Sequence, residues 1–331
     1  MSTSLDIPAL RVLRLLAAAE GPLSGEAAAR QLNISRTAVW KQINILRGYG
    51  YTITSHGRNG YRLVEVPNAA VPTEVLPRLR TRSFGHAYHY LATTPSTNPV
   101  LSGLADRGAP EGTVVIAERQ EAGRGRMSRG WFSPPDAGLY FSLLLRPTVD
   151  VARVTSLPLV VGLAVADALA PYLPDGEPRV KWPNDIWIGS RKTCGILCEL
   201  QTQRGGGQYV IAGIGINVNL EVQILPAELR EIATSVKMAT GRTVQRAELM
   251  AALLEHLEQG YDVWQRQGLA PILEQLRERD ALLGRTITVE QTGGTVTGTA
   301  DGINPDGSLR LRLKNGQAES VYSGDAHIRR P

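Results

Sequence analysis

Cysteine is nearly absent from this 331-residue chain: only Cys194 and Cys198 occur, with neither C-x-x-C spacing nor a nearby histidine cluster. That excludes a disulfide framework and a zinc ribbon, and leaves two small core residues in a reducing compartment. The chain also lacks a signal-peptide pattern, because Asp6, Pro8 and Arg11 interrupt its start. No apolar run is expected to approach membrane-spanning length. With 43% hydrophobic and 20% charged residues, the expectation is an ordinary soluble protein of the cytoplasm without a membrane partner. Nothing in the sequence suggests a covalent enzyme intermediate.

What is present is unevenly distributed. The net charge is +5, and residues 1–66 carry eight basic and four acidic side chains, so most of the excess sits in one-fifth of the chain. That asymmetry points to a polyanionic partner for this segment. Leu10, Leu13, Leu16 and Ala17 recur at helical spacing over residues 7–18. Ser24 is placed to cap a helix through Leu32, and Ser35 another through Arg47. Tyr51–Thr54 and Gly60–Val64 then alternate as paired strands around the turn 55–59. The order predicts a winged helix-turn-helix over residues 1–66. Arg36, Thr37, Trp40, Lys41 and Asn44 fall on the major-groove face and Arg58 on the wing tip. A structural helical domain with solvated basic residues is the alternative, and Trp40 is equally suited to packing against the wing.

Farther along, the strand-like run Thr113–Ile116 leads into Gly123, Gly125 and Gly130, interleaved with Arg124, Arg126 and Arg129 and closed by Trp131. Glycine permits close backbone approach, and arginine carries a permanent planar charge suited to phosphate or carboxylate. Read alone, such a loop fits a nucleic-acid tail or a solvated turn as well as a lid over a small anion. Its company narrows the choice: Ser96-Thr97-Asn98 upstream, then Lys181-Trp-Pro-Asn184-Asp185, Arg191-Lys192-Thr-Cys-Gly195-Ile-Leu197 and Gly213-Ile-Gly215-Ile-Asn217. Each piece also has a plainer reading. Ser96–Asn98 with Pro99 fits a helix cap, 182–185 a turn, Lys192 a solvated strand end, and Gly213 and Gly215 strand bulges.

In that order and spacing the set resembles the biotin–protein ligases, specifically the bifunctional ones that also repress the biotin operon. The resemblance covers nearly the whole chain. It implies adenylation of biotin by ATP, transfer to a lysine of a biotin carboxyl carrier protein, and repression through operator DNA by an adenylate-bound homodimer. The carriers it implies are that of acetyl-CoA carboxylase and related proteins. It assigns biotin to Ser96, Thr97, Asn98, Gln120, Gly123, Arg124, Gly125, Arg126, Lys192, Gly195, Gly213 and Gly215. Nucleotide falls to Arg126, Arg129, Trp131, Asn184 and Asn217, and catalysis to Lys192 with Arg124, Arg126, Lys181 and Asp185. Magnesium falls to Asn184 and Asp185, since that ion needs only one or two protein oxygens beside phosphates. Three departures stand out: Pro99 in place of Gln or Glu, Met127-Ser128 where Arg-Gly is common, and Gly130 for Lys.

The expected fold is α+β in three parts: the winged domain, a mixed-sheet catalytic domain (67–278) resembling class II synthetases, and an SH3-like barrel (279–331). The segment 67–72 reads as a linker, residues 244–277 as helical, and short strands with Gly turns follow Leu283. Two other functions stay open: a DNA-binding biotin sensor with little ligase activity, and a lipoate-type ligase.

Overall fold

Ser24 and Ser35 each accept a hydrogen bond from the third backbone N–H of the helix that follows, Ala27 and Ala38, both at 3.1 Å. They start α2 (Gly25–Leu32) and α3 (Arg36–Gly48), which follow α1 (Pro8–Ala18). The computed structural model describes residues 7–173, 176–202 and 206–328, without the side chain of Arg58. Asn33 ends α2 in the left-handed conformation (φ 53°), which turns the chain into α3. Val39, Ile43 and Leu46 are buried against the other helices, as their spacing predicts. Strands β1 (Thr52–Ser55) and β2 (Tyr61–Glu65) form the wing. Gly60, at φ 103°, brings Tyr61 into a two-way backbone pairing with Leu23; a Cβ there would meet the Leu23 carbonyl oxygen.

The chain divides into two compact units, one running to Leu79 and including Gln245–Ala251, the other comprising Arg80–Val244 and the chain from Ala252 onward. In the smaller unit, the segment expected as a linker is buried: Ala69, Ala70 and Val71 are at most 6% exposed. They lead into α4 (Pro72–Val75), and the Tyr51 hydroxyl reaches Thr73 and Glu74.

The larger unit holds a seven-stranded sheet of order β3-β4-β5-β9-β8-β7-β6. Its strands are β3 (Tyr88–Thr94), β4 (Val114–Gln120), β5 (Gly138–Leu145), β6 (Pro178–Lys181), β7 (Asp185–Ile188), β8 (Arg191–Thr202) and β9 (Gln208–Asn217). Only β3 and β4 are parallel. Every residue of β5 is buried, as befits the third strand of seven covered by α5 (Thr97–Asp106). Helix α6 (Leu157–Leu169) packs on β6, β7 and β8. Contrary to expectation, the stretch Val151–Tyr172 is long and apolar enough to cross a membrane, but 72% of its most apolar window is buried in the core. Helix α5 starts at Thr97, which puts Pro99 third in the helix rather than first.

The expected helical region becomes α7 (Arg246–Gln267), whose first residues belong to the smaller unit, and α8 (Leu273–Glu278). Beyond it lies a five-stranded antiparallel sheet of order β13-β12-β11-β10-β14. Its strands are β10 (Thr286–Gln291), β11 (Gly294–Ile303), β12 (Leu309–Arg312), β13 (Ala318–Val321) and β14 (Asp325–Ile328). The last of these carries no apolar run and was not anticipated. Cys194 is fully buried and Cys198 half-buried; both are free thiols, and burial raises the pKa of each.

Candidate functional site

A tight hairpin sets two of the candidate residues side by side: Lys181 ends β6, Asp185 begins β7, and the two are register partners across Trp182-Pro183-Asn184. The Trp182–Pro183 peptide is cis, and Trp182 is buried with its Nε1 donating to the Gly307 carbonyl at 3.1 Å. The stretch 182–185 is thus a turn, as its plainer reading expects. Lys192 comes in from β8 with its Nζ 2.7 Å from Asp185 Oδ1 and 5.3 Å from the centre of the Trp131 ring. Its backbone is held as well: Lys192 N–H donates to Ile232 O at 2.8 Å and Thr234 N–H to Lys192 O at 2.9 Å. Burial lowers the Lys181 pKa; Asp185 opposes that shift, while Lys192 and Arg126 add to it.

The Gly/Arg loop closes on itself. Gly125 N–H donates to Arg129 O at 2.7 Å and Trp131 N–H to Gly123 O at 2.9 Å. Between them Met127 (φ 54°) and Ser128 (φ 59°) are left-handed, a conformation that glycine adopts without cost. Arg126 donates to Asn184 Oδ1 at 3.0 Å and to Gly324 O at 3.3 Å. Arg129 pairs with Asp325 at 2.5 Å, with Arg126 3.8 Å from the same carboxylate. Burial acts to raise the Asp325 pKa, but Arg129, Arg126 and Lys181 outweigh it and hold the carboxyl below the usual range. Arg124 is exposed and makes no ion pair among the described residues.

Trp131 rests on two of the glycines. A Cβ at Gly215 would lie 2.3 Å from Trp131 Nε1, and one at Gly195 2.9 Å from its Cζ3. That indole nitrogen is buried with no hydrogen-bond partner among the described residues. A Cβ at Gly213 would instead lie 2.5 Å from Asn98 Oδ1. Gly195 and Gly215 thus make room for Trp131, and Gly213 for Asn98.

Asn98 belongs to a row of polar groups running back to the loop. Its Nδ2 donates to Glu199 at 2.6 Å, and Thr97 N–H donates to Gln120 Oε1 at 3.0 Å. Gln120 Nε2 then donates to Ser133, which donates to the Trp131 carbonyl, both at 3.1 Å. Ser96 stands at the helix cap position, yet its hydroxyl makes no capping bond although the residue is buried.

Two of the expected site residues are held by hydrogen bonds. Asn217 Nδ2 donates to the Thr234 carbonyl at 3.0 Å. Asn184 Nδ2 donates to Ile196 O at 2.7 Å and its Oδ1 accepts from Arg126 at 3.0 Å. Among the described residues no cluster of three His, Cys, Asp or Glu side chains occurs. Sequence reasoning missed Asp325, Ser133, Ser142 and Glu199. Ser142 could have been found, because a serine inside the apolar run 139–145 needs a partner once buried.

In the smaller unit Arg36, Thr37, Trp40 and Lys41 are exposed on α3, and Asn44 is half-buried. Trp40 is 51% exposed. Arg47 ties α3 to the wing through Ile53 O at 2.8 Å and Ser55 Oγ at 2.9 Å. The side chain of Arg58 lies outside the described residues.

Residues 90–217 match the biotin/lipoate A/B protein ligase family, residues 9–62 an HTH domain, and residues 282–329 the biotin protein ligase C terminal domain. The bifunctional ligase/repressor BirA of Bacillus subtilis (strain 168) is 38% identical over 307 residues, covering 92% of this chain and 94% of that protein. BirA of Escherichia coli (strain K12) is 31% identical over 320 residues, 97% of each. Among solved structures, the biotin protein ligase of Aquifex aeolicus in complex with biotin and ATP superposes with a TM-score of 0.65 at 28% identity. That match covers 76% of this chain and all of the other.

Proposed function

The chain belongs to the biotin protein ligases of the bifunctional ligase/repressor kind, and from that premise we propose that it activates biotin with ATP, biotinylates a carrier lysine and represses biotin-biosynthesis genes. A biotin carboxylate oxygen attacks the α-phosphorus of ATP; the P–O bond to pyrophosphate breaks, leaving biotinyl-5′-adenylate. The amine of a carrier-protein lysine then attacks the adenylate carbonyl, loses a proton, and expels AMP as the amide forms. Both steps gather negative charge on oxygen, so positioned cations matter more than a protein nucleophile.

The observation that carries this reading is the cluster of Lys192, Asp185, Lys181 and Arg126, with Lys192 against the Trp131 ring. Lys192 serves the biotin carboxylate and the bridging phosphate oxygen. Arg124 and Arg126 serve carboxylate and phosphate, Arg129 the polyphosphate once it leaves Asp325, and Trp131 offers a ring face to adenine. Ser96, whose hydroxyl makes no capping bond, and Thr97, with Gln120, face the ureido ring. Gly123 and Gly125 give the loop its close turn, and Gly195, Gly213 and Gly215 keep the sheet floor low. A magnesium ion entering on the polyphosphate would be held by Asp185 and phosphate oxygens, and would neutralise phosphate charge.

The winged domain, within residues 1–66, presents Arg36, Thr37, Trp40, Lys41, Asn44 and Arg58 to operator DNA. The adenylate-bound chain acts there as a homodimer, in the cytoplasm. Incubation with ATP, magnesium, labelled biotin and a carrier domain tests the enzyme: labelled carrier is expected, and neither adenylate nor labelled carrier would sink the claim. An electrophoretic shift on biotin-operon DNA that is indifferent to biotin and ATP would count against adenylate control.

A further inference from the structure

Strand β7 lies between β6 and β8, so its Asp185 has a lysine on each side, Lys181 from β6 and Lys192 from β8. Only one of the two takes the carboxylate. Lys192 Nζ lies 2.7 Å from Asp185 Oδ1, whereas Lys181 makes no ion pair and no hydrogen bond among the described residues. Lys181 is nevertheless half-buried, and burial lowers its pKa.

What the Lys181 ammonium does meet is an indole. Its Nζ lies 5.2 Å from the centre of the Trp187 ring, within the range over which a cation is attracted to an aromatic face. The hairpin brings the two together. Lys181 is the register partner of Asp185, and Arg179 that of Trp187, so Lys181 and Trp187 are diagonal neighbours on one face of the sheet. Long and aromatic side chains span that diagonal. The Trp187 indole nitrogen is buried with no hydrogen-bond partner among the described residues, so the ring face, not the N–H, makes the polar contact here.

A carboxylate and a ring hold a lysine in different ways. The carboxylate accepts N–H groups and cancels the charge; the ring attracts the ammonium through its quadrupole and leaves charge and donors intact. Lys192 is held in both ways, by Asp185 and by Trp131. Lys181 has only the ring, and its donors are left for an arriving anion.

We propose that Trp187 is a positioning residue that fixes the Lys181 ammonium as an uncommitted cation for the ATP polyphosphate. The proposal rests on the ligase reading, which supplies the ATP.

Biotin-dependent pyrophosphate exchange by the full chain tests it, with thermal unfolding checking that each variant folds. Trp187→Leu and Trp187→Met both keep apolar bulk and remove the ring. Each is expected to lower kcat/KM for ATP about five- to tenfold, while the KM for biotin stays within about twofold. Trp187→Phe restores a ring face and is expected within about threefold of the unaltered chain. In a Lys181→Ala background, Trp187→Leu is expected to cost less than about twofold further, because the ring then has no ammonium to place. An unmoved kcat/KM for ATP, equal losses for ATP and biotin, Trp187→Phe no better than Trp187→Leu, or losses that multiply in the double variant would each overturn the proposal. Absence of exchange by the unaltered chain overturns the ligase reading and the proposal with it.

Discussion

Lys192 and Asp185, brought from neighbouring strands, meet at 2.7 Å, and the same ammonium lies 5.3 Å from the centre of the Trp131 ring. Nothing local demands this pairing, since each residue could be solvated at a strand end. On the proposed ligase reading, an ammonium so held stands where charge would gather on carboxylate and phosphate oxygens. Lys192→Ala is therefore expected to lower kcat for adenylation by about 10²–10³-fold, a typical cost for one preorganised donor. Biotin affinity, measured by titration calorimetry, is expected to fall much less. Equal losses in both would confine Lys192 to ground-state binding.

Two of the loop arginines share one carboxylate: Asp325 takes Arg129 at 2.5 Å and lies 3.8 Å from Arg126. Arg129 is largely exposed, so the pair adds little to global stability, but it restrains a glycine-rich loop. Asp325→Asn is expected to speed tryptic cleavage at Arg126 and Arg129 in the ligand-free protein about two- to fivefold, as an ion pair worth under about 1 kcal/mol allows. Cleavage at the unaltered rate would mean the loop is held by its own backbone bonds instead.

Trp131 and Gly215 interlock, and their coupling is measurable without any substrate. A methyl group at position 215 would sit 2.3 Å from Trp131 Nε1, and Trp131 atoms are its three nearest neighbours. Gly215→Ala is expected to destabilise the protein by about 1–3 kcal/mol, as other overpacking changes do. Adding Trp131→Ala removes the obstruction, so the double variant is expected to be more stable than the two single losses added together. Strict additivity in chemical denaturation would show that the strand, not the indole, resists the methyl group.

How much of this was legible in the sequence follows from how local each signal is. Ser24 and Ser35 announce helix starts because a cap needs only the next three residues, and both caps form. The sheet strands were legible as apolar runs, and the Lys192 motif as a basic residue opening one of them. Asp325 was not, because its meaning comes from arginines some two hundred residues earlier. Glu199 was hidden likewise, since its partner Asn98 reaches it only through the order of strands in the sheet. Trp131 lying on Gly195 and Gly215 depends on the β8–β9 register, in which those two glycines face each other.

The exposed row on α3 gives a different kind of expectation, one read from salt dependence. Arg36 and Lys41 are exposed charges on the helix that a winged domain lays in the major groove. If each neutralises a phosphate, Arg36→Ala and Lys41→Ala are each expected to reduce the slope of log K against log salt by about one. A residue that reads a base edge instead would relax sequence preference and leave more of the slope intact. Fluorescence anisotropy on operator and scrambled duplexes separates the two. Unchanged binding in both variants would point to solvated structural charges.

Asp280 offers a test by pH. It is 3% exposed, its Oδ1 accepts the Leu282 N–H at 2.7 Å, and its Oδ2 has no hydrogen-bond partner among the described residues. Burial pushes its carboxyl up to about 6, against the pull of the Leu282 and Leu283 backbone N–H groups and of Arg179. The folded state thus holds this proton more tightly than the unfolded chain, whose carboxyl titrates near 3.8. The associated stability is fully present below about pH 4 and is lost as pH rises through about 6. Asp280→Asn stays neutral throughout, so its Tm is expected to gain on the unaltered chain between pH 5 and pH 8. The gain corresponds to about 1 kcal/mol, roughly one pKa unit of the difference falling in that window. A Tm difference that does not change with pH would mean that Asp280 is ionised at both, with its charge met by Arg179 and the backbone.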